Sequence, residues 1–326
     1  MSSKLLNIVS DEKVTRGDAC SFGSQGKALV KEEPAIVADK DFAGNVLLVT
    51  LGCAKNLVDS EVMLGVLKEK GFRAISDPEN ADLIVVNTCS FLESAVKEGI
   101  DRILELAKYK ETARCRKLVV AGCMVERYRE DLKKSLPEVD KFISTDELLK
   151  VADDEDTSED ALSESRRPYF IYDESMPRVR STLGHTSFVK IAEGCDRPCA
   201  FCIIPKIRGS FRSRSINSVY SEISQLYSEG VKEINLVAQD LTSYGVDFAD
   251  QSKKEPQLVQ LLEKLSGITT DNLWLRLLYA YPIGVTERLI KTIENSPIVC
   301  NYLVLPLQHI SNSVLKRMNR PLGERG

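Results

Sequence analysis

The chain has 326 residues, 43% of them hydrophobic and 28% charged, with a formal net charge of -4. That length exceeds a single hydrophobic core and predicts two domains, while the near balance of charge leaves no electrostatic footprint of a general nucleic-acid binder. No apolar run approaches the ~18 residues needed to cross a bilayer, and nine cysteines without a secretory leader point to a reducing compartment, the cytoplasm, with no membrane partner.

Residues 1–44 mix Gly, Ser, Lys and Glu without a period and are expected to be a disordered tail. Acids such as Asp11, Glu12, Asp18, Glu32 and Glu33 argue against a transit peptide. From 45 to 150 the pattern is that of an α/β domain. Three short runs rich in Val and Leu, NVLLVTLG, DLIVVNT and KLVVAG, each lead to a cysteine, Cys53, Cys89 and Cys123, and then to a helical pattern. The first helix is expected over about Asn56–Lys70, stopped by Gly71. After Cys89, Leu92, Val96, Ile100, Ile103 and Ala107 recur at helical spacing and are expected to face the sheet. Ligands of open α/β sheets bind beyond the carboxyl ends of strands, so three strand-end cysteines can share one crevice. The alternative is three small buried residues that fill strand ends.

Residues 151–180 are expected to form an acidic linker, because VADDEDTSEDALSESRR is rich in acids and nearly empty of bulky apolar side chains. An acidic arm for a basic partner is the functional alternative. The second domain, 181–326, opens with the run HTSFVKIAEG and a second trio, Cys195, Cys199 and Cys202, within eight residues. Cysteine-only ligation selects zinc or an iron-sulfur cluster, and three ligands instead of four leave a position open for chemistry. Gly194 lets the backbone approach, Pro198 stiffens the loop, and Phe201 offers a ring to cover the centre. A zinc knuckle completed by His185 remains an alternative. The cluster Lys206, Arg208, Arg212 and Arg214 reads as ligand-orienting or as a solvated basic face. Further βα alternation follows, with a helix near 216–229 and strand patterns in EINLVAQD, LWLRLLYAYP and NYLVLPLQH, hence a parallel sheet or barrel. Arg276 in so apolar a strand needs a partner if buried. Cys20, Cys115 and Cys300 fit neither trio and read as incidental thiols.

The spacing Cys195-x3-Cys199-x2-Cys202 is similar to the signature of radical S-adenosylmethionine (SAM) enzymes. LGCAKNLVDSE, VVNTCSF and VAGCMVERY resemble the amino-terminal domain of the methylthiotransferases. GCAKN, in place of the GCQMN-like wording of the tRNA-modifying MiaB relatives, together with FCIIPKIRG, VAQDLTSYG and PLQHISNSVLKRMNRP, resembles the RimO family. The resemblance covers about 45–150 and 180–326. It implies an α/β fold class: a flavodoxin-like parallel sheet domain, then a radical SAM partial (β/α) barrel. Four units of that barrel are legible before Gly326 where the resemblance implies about six, so the second domain is expected to be incomplete at its carboxyl end.

The resemblance also implies two 4Fe-4S clusters, one on Cys195, Cys199 and Cys202 with SAM on its open iron, and one on Cys53, Cys89 and Cys123. It further implies cofactor contacts from Phe201, Gln239, Asp240, Arg276 and Gln308. The implied reaction adds a methylthio group to the β-carbon of an aspartate in a small-subunit ribosomal protein, the twelfth, with a flavodoxin or ferredoxin as electron donor. Methylthiolation of an isopentenylated adenosine in tRNA, or a non-enzymatic zinc- or cluster-binding fragment, are the alternatives.

Overall fold

A computed structural model describes residues 42–153, 170–248, 256–268 and 272–320. The expected tail, to residue 41, and the acidic stretch 154–169 lie outside the described residues. The chain divides into two compact units: residues up to 166 together with Pro177–Ser181, and Arg167–Met176 together with the residues from Thr182 onward.

In the first unit the order is β1 (Gly44–Thr50), α1 (Ala54–Glu69), β2 (Phe72–Ala74), β3 (Leu83–Thr88), α2 (Glu93–Ala107), α3 (Tyr109–Thr112), β4 (Lys117–Gly122), α4 (Cys123–Ser135) and β5 (Lys141–Ile143). Every strand pair is parallel, and the sheet order is β2-β1-β3-β4-β5. That is the flavodoxin-like order, in which connections run to opposite sides from the β1/β3 gap and open a crevice there. β3 is buried at all six positions, as a central parallel strand must be when both faces are covered.

Helix α1 ends as expected, with Gly71 at φ 85 just past it. It is unusual in burying polar residues along with apolar ones, Asn56, Asp59, Ser60 and Glu61 among them. Sheet residues cover one side, and a 3-10 turn at Leu148–Ala152 also packs on it. The segment Pro177–Ser181 adds another cover. Gly65 is the point of closest approach, where a Cβ would lie 2.4 Å from the Pro177 carbonyl. Glu61 fixes the segment: its Oε2 accepts from Arg178 Nε at 2.9 Å, and its Oε1 accepts from the Ser181 amide at 2.7 Å and hydroxyl at 2.9 Å. In α2, Val96, Ile103 and Ala107 are buried as expected and Ile100 is partly buried against the same core, but Leu92 is 51% exposed. Leu92 is the residue that precedes the helix, with extended backbone, so helical spacing does not govern where it points.

The second unit runs β6 (Thr186–Lys190), β7 (Ala192–Glu193), α5 (Ile204–Ile207), β8 (Arg212–Ser213), α6 (Ile216–Ser228), β9 (Glu233–Val237), α7 (Leu258–Ser266), β10 (Trp274–Leu278), α8 (Glu287–Asn295), β11 (Val299–Leu303) and α9 (Asn312–Arg317). Its main sheet is parallel in the order β11-β10-β9-β6, which confirms the βα alternation. Helix α6 is typical of the helices that cover it. Ser215 accepts from the Ser218 amide at 3.1 Å to start the helix, Val219, Ile223 and Leu226 face the core, and Gly230 at φ 94 follows its end.

Two expectations need correction. Residues 170–180, assigned to the linker, are packed. Tyr172 is 2% exposed; its hydroxyl lies 3.2 Å from both oxygens of Glu222 and accepts from the Lys190 amide at 3.1 Å. One aromatic ring with buried partners outweighs the polar neighbours that composition counted. Gln308 is not a strand residue, since β11 ends at Leu303; it is exposed, at φ 72.

Candidate cluster sites

Cys53, Cys89 and Cys123 follow β1, β3 and β4, three neighbouring strands of the first sheet. Strands lie about 4.8 Å apart, so the two outer strand ends are about 10 Å from each other across the crevice. Gly52 and Gly122 carry the chain out of their strands at φ 93 and 94. Side chains do not fit at either: a Cβ on Gly52 would lie 2.6 Å from Cys89 Cβ, and one on Gly122 2.2 Å from Asn87 Oδ1.

Asn56, in the first turn of α1, ties the three strand ends together. Its Nδ2 donates to the carbonyls of Leu51 at 3.0 Å and Thr88 at 2.9 Å, and its Oδ1 accepts from Cys123 Sγ at 3.7 Å. Asn87 Nδ2 donates to the Asn56 carbonyl and to Ser60 Oγ, both at 2.9 Å. Thr88 Oγ1 donates to the Ala121 carbonyl at 2.6 Å and Ser90 Oγ to the Cys123 carbonyl at 2.9 Å. Asn56, Asn87, Thr88 and Ser90 are fully buried, and these bonds brace the strand ends that bear the thiols. In the sequence Asn56 reads as a helix start and a member of LGCAKNLVDSE, and its bracing role goes unseen. The signal was there, since a buried amide at the start of a helix must find donors and acceptors nearby.

The second trio lies on the loop after β7. Gly194, at φ 78, lets the loop's return pass against its start: a Cβ there would sit 2.2 Å from the Ser210 carbonyl, and Cys195 N donates to the Gly209 carbonyl at 3.2 Å. Cys202 N donates to the Cys199 carbonyl at 3.1 Å, which closes the turn between the last two ligands. Burial pushes the Cys195 thiol up to about 11, and Asp240 and the other two thiols add to the rise; burial raises Cys202 as well. Three thiols close enough to feel one another need positive charge to ionise together.

Buried charge gathers instead on Glu193, at the base of the loop. Lys190 Nζ, Arg208 Nη1 and Gln239 Nε2 all donate to the Glu193 carboxylate, Lys190 at 2.6 Å and Arg208 at 3.4 Å. Burial alone would push Glu193 up, but Lys190 and Arg208, with Arg212 behind them, hold it well below the usual carboxylate range. The basic cluster is thus not a solvated face. Lys206 is exposed, but Arg208, Arg212 and Arg214 are buried and paired. Arg212 donates to the carbonyls of Arg208 and Ser210 at 2.9 Å, and Arg214 pairs with Glu222 while its guanidinium lies 4.5 Å from the Tyr172 ring centroid.

Gln239 and Asp240 stand at the carboxyl end of β9, as expected for a ligand site. Asp240 Oδ2 accepts from Arg197 Nε of the cysteine loop at 2.9 Å and from Ser243 Oγ at 2.8 Å; its Oδ1 accepts from the Thr242 amide at 2.9 Å and hydroxyl at 2.6 Å. Gln239 differs, because its Oε1 is buried without a hydrogen-bond partner. Arg276 donates Nε to Glu233 Oε1 at 2.8 Å, the partner its strand required. It shares a row with Phe188 and Asn235, alternate to the core residues Leu275 and Leu277 and so on the sheet face away from the covering helices. Phe201 is 46% exposed.

His185 precedes β6 whereas the cysteines follow it, and a five-residue strand at about 3.3 Å per residue holds them about 16 Å apart. A zinc knuckle through His185 is therefore not formed. Among the described residues no three His, Cys, Asp or Glu side chains converge on a single ion. Cysteine-only donor sets suit the chemistry of a four-iron cluster, which takes one thiolate per iron. Among the described residues no helix is long and apolar enough to cross a membrane.

Comparison with known proteins agrees with this division. Residues 45–144 match the family model described as uncharacterized protein family UPF0004, and residues 189–324 match the radical SAM superfamily. The ribosomal protein uS12 methylthiotransferase RimO of Geotalea uraniireducens is 48% identical over 282 residues, covering 86% of this chain and 62% of its own. That of Geobacter sulfurreducens is 48% identical over 279 residues, 84% of this chain and 61% of its own. The chain thus spans about three-fifths of the length of these curated relatives. Among solved structures, the radical SAM methyltransferase TsrM of Kitasatospora setae superposes with a TM-score of 0.56 at 14% identity, covering 84% of this chain and 61% of that one. The cobalamin-dependent enzyme OxsB gives 0.52, also at 14%, over 86% of this chain and 46% of its own. At that identity the likeness is one of fold.

Proposed function

We propose that the chain belongs to the RimO family of radical SAM proteins and is a methylthiotransferase acting on ribosomal protein uS12, the substrate named for its relatives. In this reading the methylthio group is added to the β-carbon of an aspartate. The observation that carries it is the presence in one chain of two cysteine trios, one beyond the carboxyl ends of the parallel strands β1, β3 and β4 and one on the loop between β7 and β8.

Cys195, Cys199 and Cys202 would hold a 4Fe-4S cluster that binds SAM, and Cys53, Cys89 and Cys123 a second cluster. When bound, these groups supply one-electron cleavage of SAM, hydrogen removal from an unactivated carbon, and the sulfur to be attached. The chain supplies binding and orientation. Lys190 and Arg208, both paired with the buried Glu193, brace the base of the cysteine loop. Gln239 Oε1, a buried acceptor with no partner, is placed to receive a donor such as the amino group of SAM. Asp240 has both oxygens engaged and acts as a positioning residue, which anchors the loop through Arg197. Phe201 leaves its ring available to cover a bound group. A flavodoxin or ferredoxin would deliver the electron, in the cytoplasm.

The test is anaerobic reconstitution. Two clusters require about eight irons per chain and a broad visible absorption, and replacing Cys195, Cys199 and Cys202 with alanine should leave about four. The reduced wild-type protein should release methionine and 5'-deoxyadenosine from SAM, and the methylthio mass should appear on uS12 and not on tRNA. Colourless protein holding only zinc, or no SAM cleavage, would sink the proposal.

A further inference from the structure

Pro198, Cys199 and Ala200 of the metal loop are each held by one residue of a tripeptide far along the chain. The Ala200 amide donates to the Met318 carbonyl at 2.9 Å, Asn319 Nδ2 donates to the Pro198 carbonyl at 2.7 Å, and Arg320 Nη1 points to Cys199 Sγ at 3.6 Å. The closing turn of α9 aims these groups. Asn319 adopts φ 51, Arg320 N donates back to the Leu315 carbonyl at 2.9 Å, and Leu315 is fully buried, so the turn is rooted in the core.

Arg320 is an unusual neighbour for a thiol. It is 7% exposed, its Nη2 donates to the Pro306 carbonyl at 2.7 Å, and its guanidinium lies 4.3 Å from the ring centroid of Tyr281. Its Nε is buried with no hydrogen-bond partner. Carbonyl and ring are neutral, and a buried cation with an unfilled donor calls for negative charge close by. A thiolate at Cys199 supplies it.

We propose that Met318, Asn319 and Arg320 form a positioning clamp on the metal loop, and that Arg320 acts through Cys199 to make the cluster easier to reduce. This rests on the reading of Cys195, Cys199 and Cys202 as cluster ligands. Hydrogen bonds and charge at ligand sulfurs tune cluster potentials, and a cation stabilises the more negative, reduced state more than the oxidised one.

Two measurements on the 326-residue chain test it. In the reconstituted protein, a redox titration follows the cluster whose paramagnetic signal changes when SAM is added. R320Q should retain its iron but reduce at a lower potential, and R320K, which keeps the charge, should recover most of the shift. An unchanged potential in iron-replete R320Q overturns the electrostatic role. In cluster-free protein, N319D replaces the donor to Pro198 by an acceptor of the same size. It should speed amide exchange at Ala200 by roughly tenfold while core amides of β9 keep their protection. R320Q, read in the same way, keeps the test available should N319D fail to fold. Unaltered exchange at Ala200 in the folded variants overturns the clamp. If the wild type takes up zinc alone, the cluster reading fails while the exchange experiment still decides the clamp.

Discussion

The two cysteine trios present the same three thiols on opposite principles of support. In the first unit the ligands come from three neighbouring strands, whose spacing is already set by sheet register. Small neutral groups do most of the bracing, the amides of Asn56 and Asn87 and the hydroxyls of Thr88 and Ser90, with Arg127 adding one bond to the Ser90 carbonyl. In the second unit all three ligands sit on one long loop, held by sheet register only at its base, where β7 and β8 pair antiparallel. Long ionised side chains anchor its limbs instead, Lys190, Glu193 and Arg208 at its base and Arg197 to Asp240 at its side. Ligands borrowed from a rigid sheet need little bracing, and ligands on a loop need charge.

The largest break in that contrast is expected at Arg214. Its replacement by methionine leaves Glu222 buried without its cation, beside a Tyr172 ring that has lost its stacked guanidinium. The second unit should lose about 3–5 kcal/mol in urea unfolding while the first is unchanged. Next is Asn56→Ala, which strips the Leu51 and Thr88 carbonyls of a donor in a buried setting. The first unit should lose about 2–3 kcal/mol, and iron uptake by Cys53, Cys89 and Cys123 should fall with it.

The smallest effect sharpens the comparison by testing charge where the first unit does bury it. Burial pushes Glu126 up to about 7, aided by Asp146 and Glu147 and opposed by Arg129. The raised acid favours the folded state below its unfolded value of 4.5, and that contribution is lost as pH rises through about 7. Glu126→Gln should flatten the melting-temperature profile between those limits, with a difference of no more than about 2 kcal/mol, since the group is partly exposed.

The strand-end cysteines were legible because period, strand length and following helix agree at Cys53, Cys89 and Cys123. The tight trio was legible from spacing alone. What lay hidden was every partner that local sequence does not pair. Arg208, Arg212 and Arg214 look like a solvated face until Glu193, Glu222 and a returning carbonyl are folded against them. Tyr172 sits in a stretch whose composition suggests a linker, and only its buried bonds to Glu222 reveal otherwise. Helical periodicity likewise placed Leu92 on the sheet face, though the helix begins one residue later.

The bonds from Arg178 and Ser181 to Glu61 bear on the timing of synthesis. Glu61 is buried in a helix near the start of the described chain, yet the residues that satisfy it lie 117 and 120 positions downstream. During translation the last strand of the first sheet, ending at Ile143, is made before that segment. Until it arrives, α1 carries an unneutralised carboxylate and an uncovered Gly65. The first unit thus cannot reach its final stability as a nascent domain, and a stall before residue 181 would leave it open to chaperones and proteases.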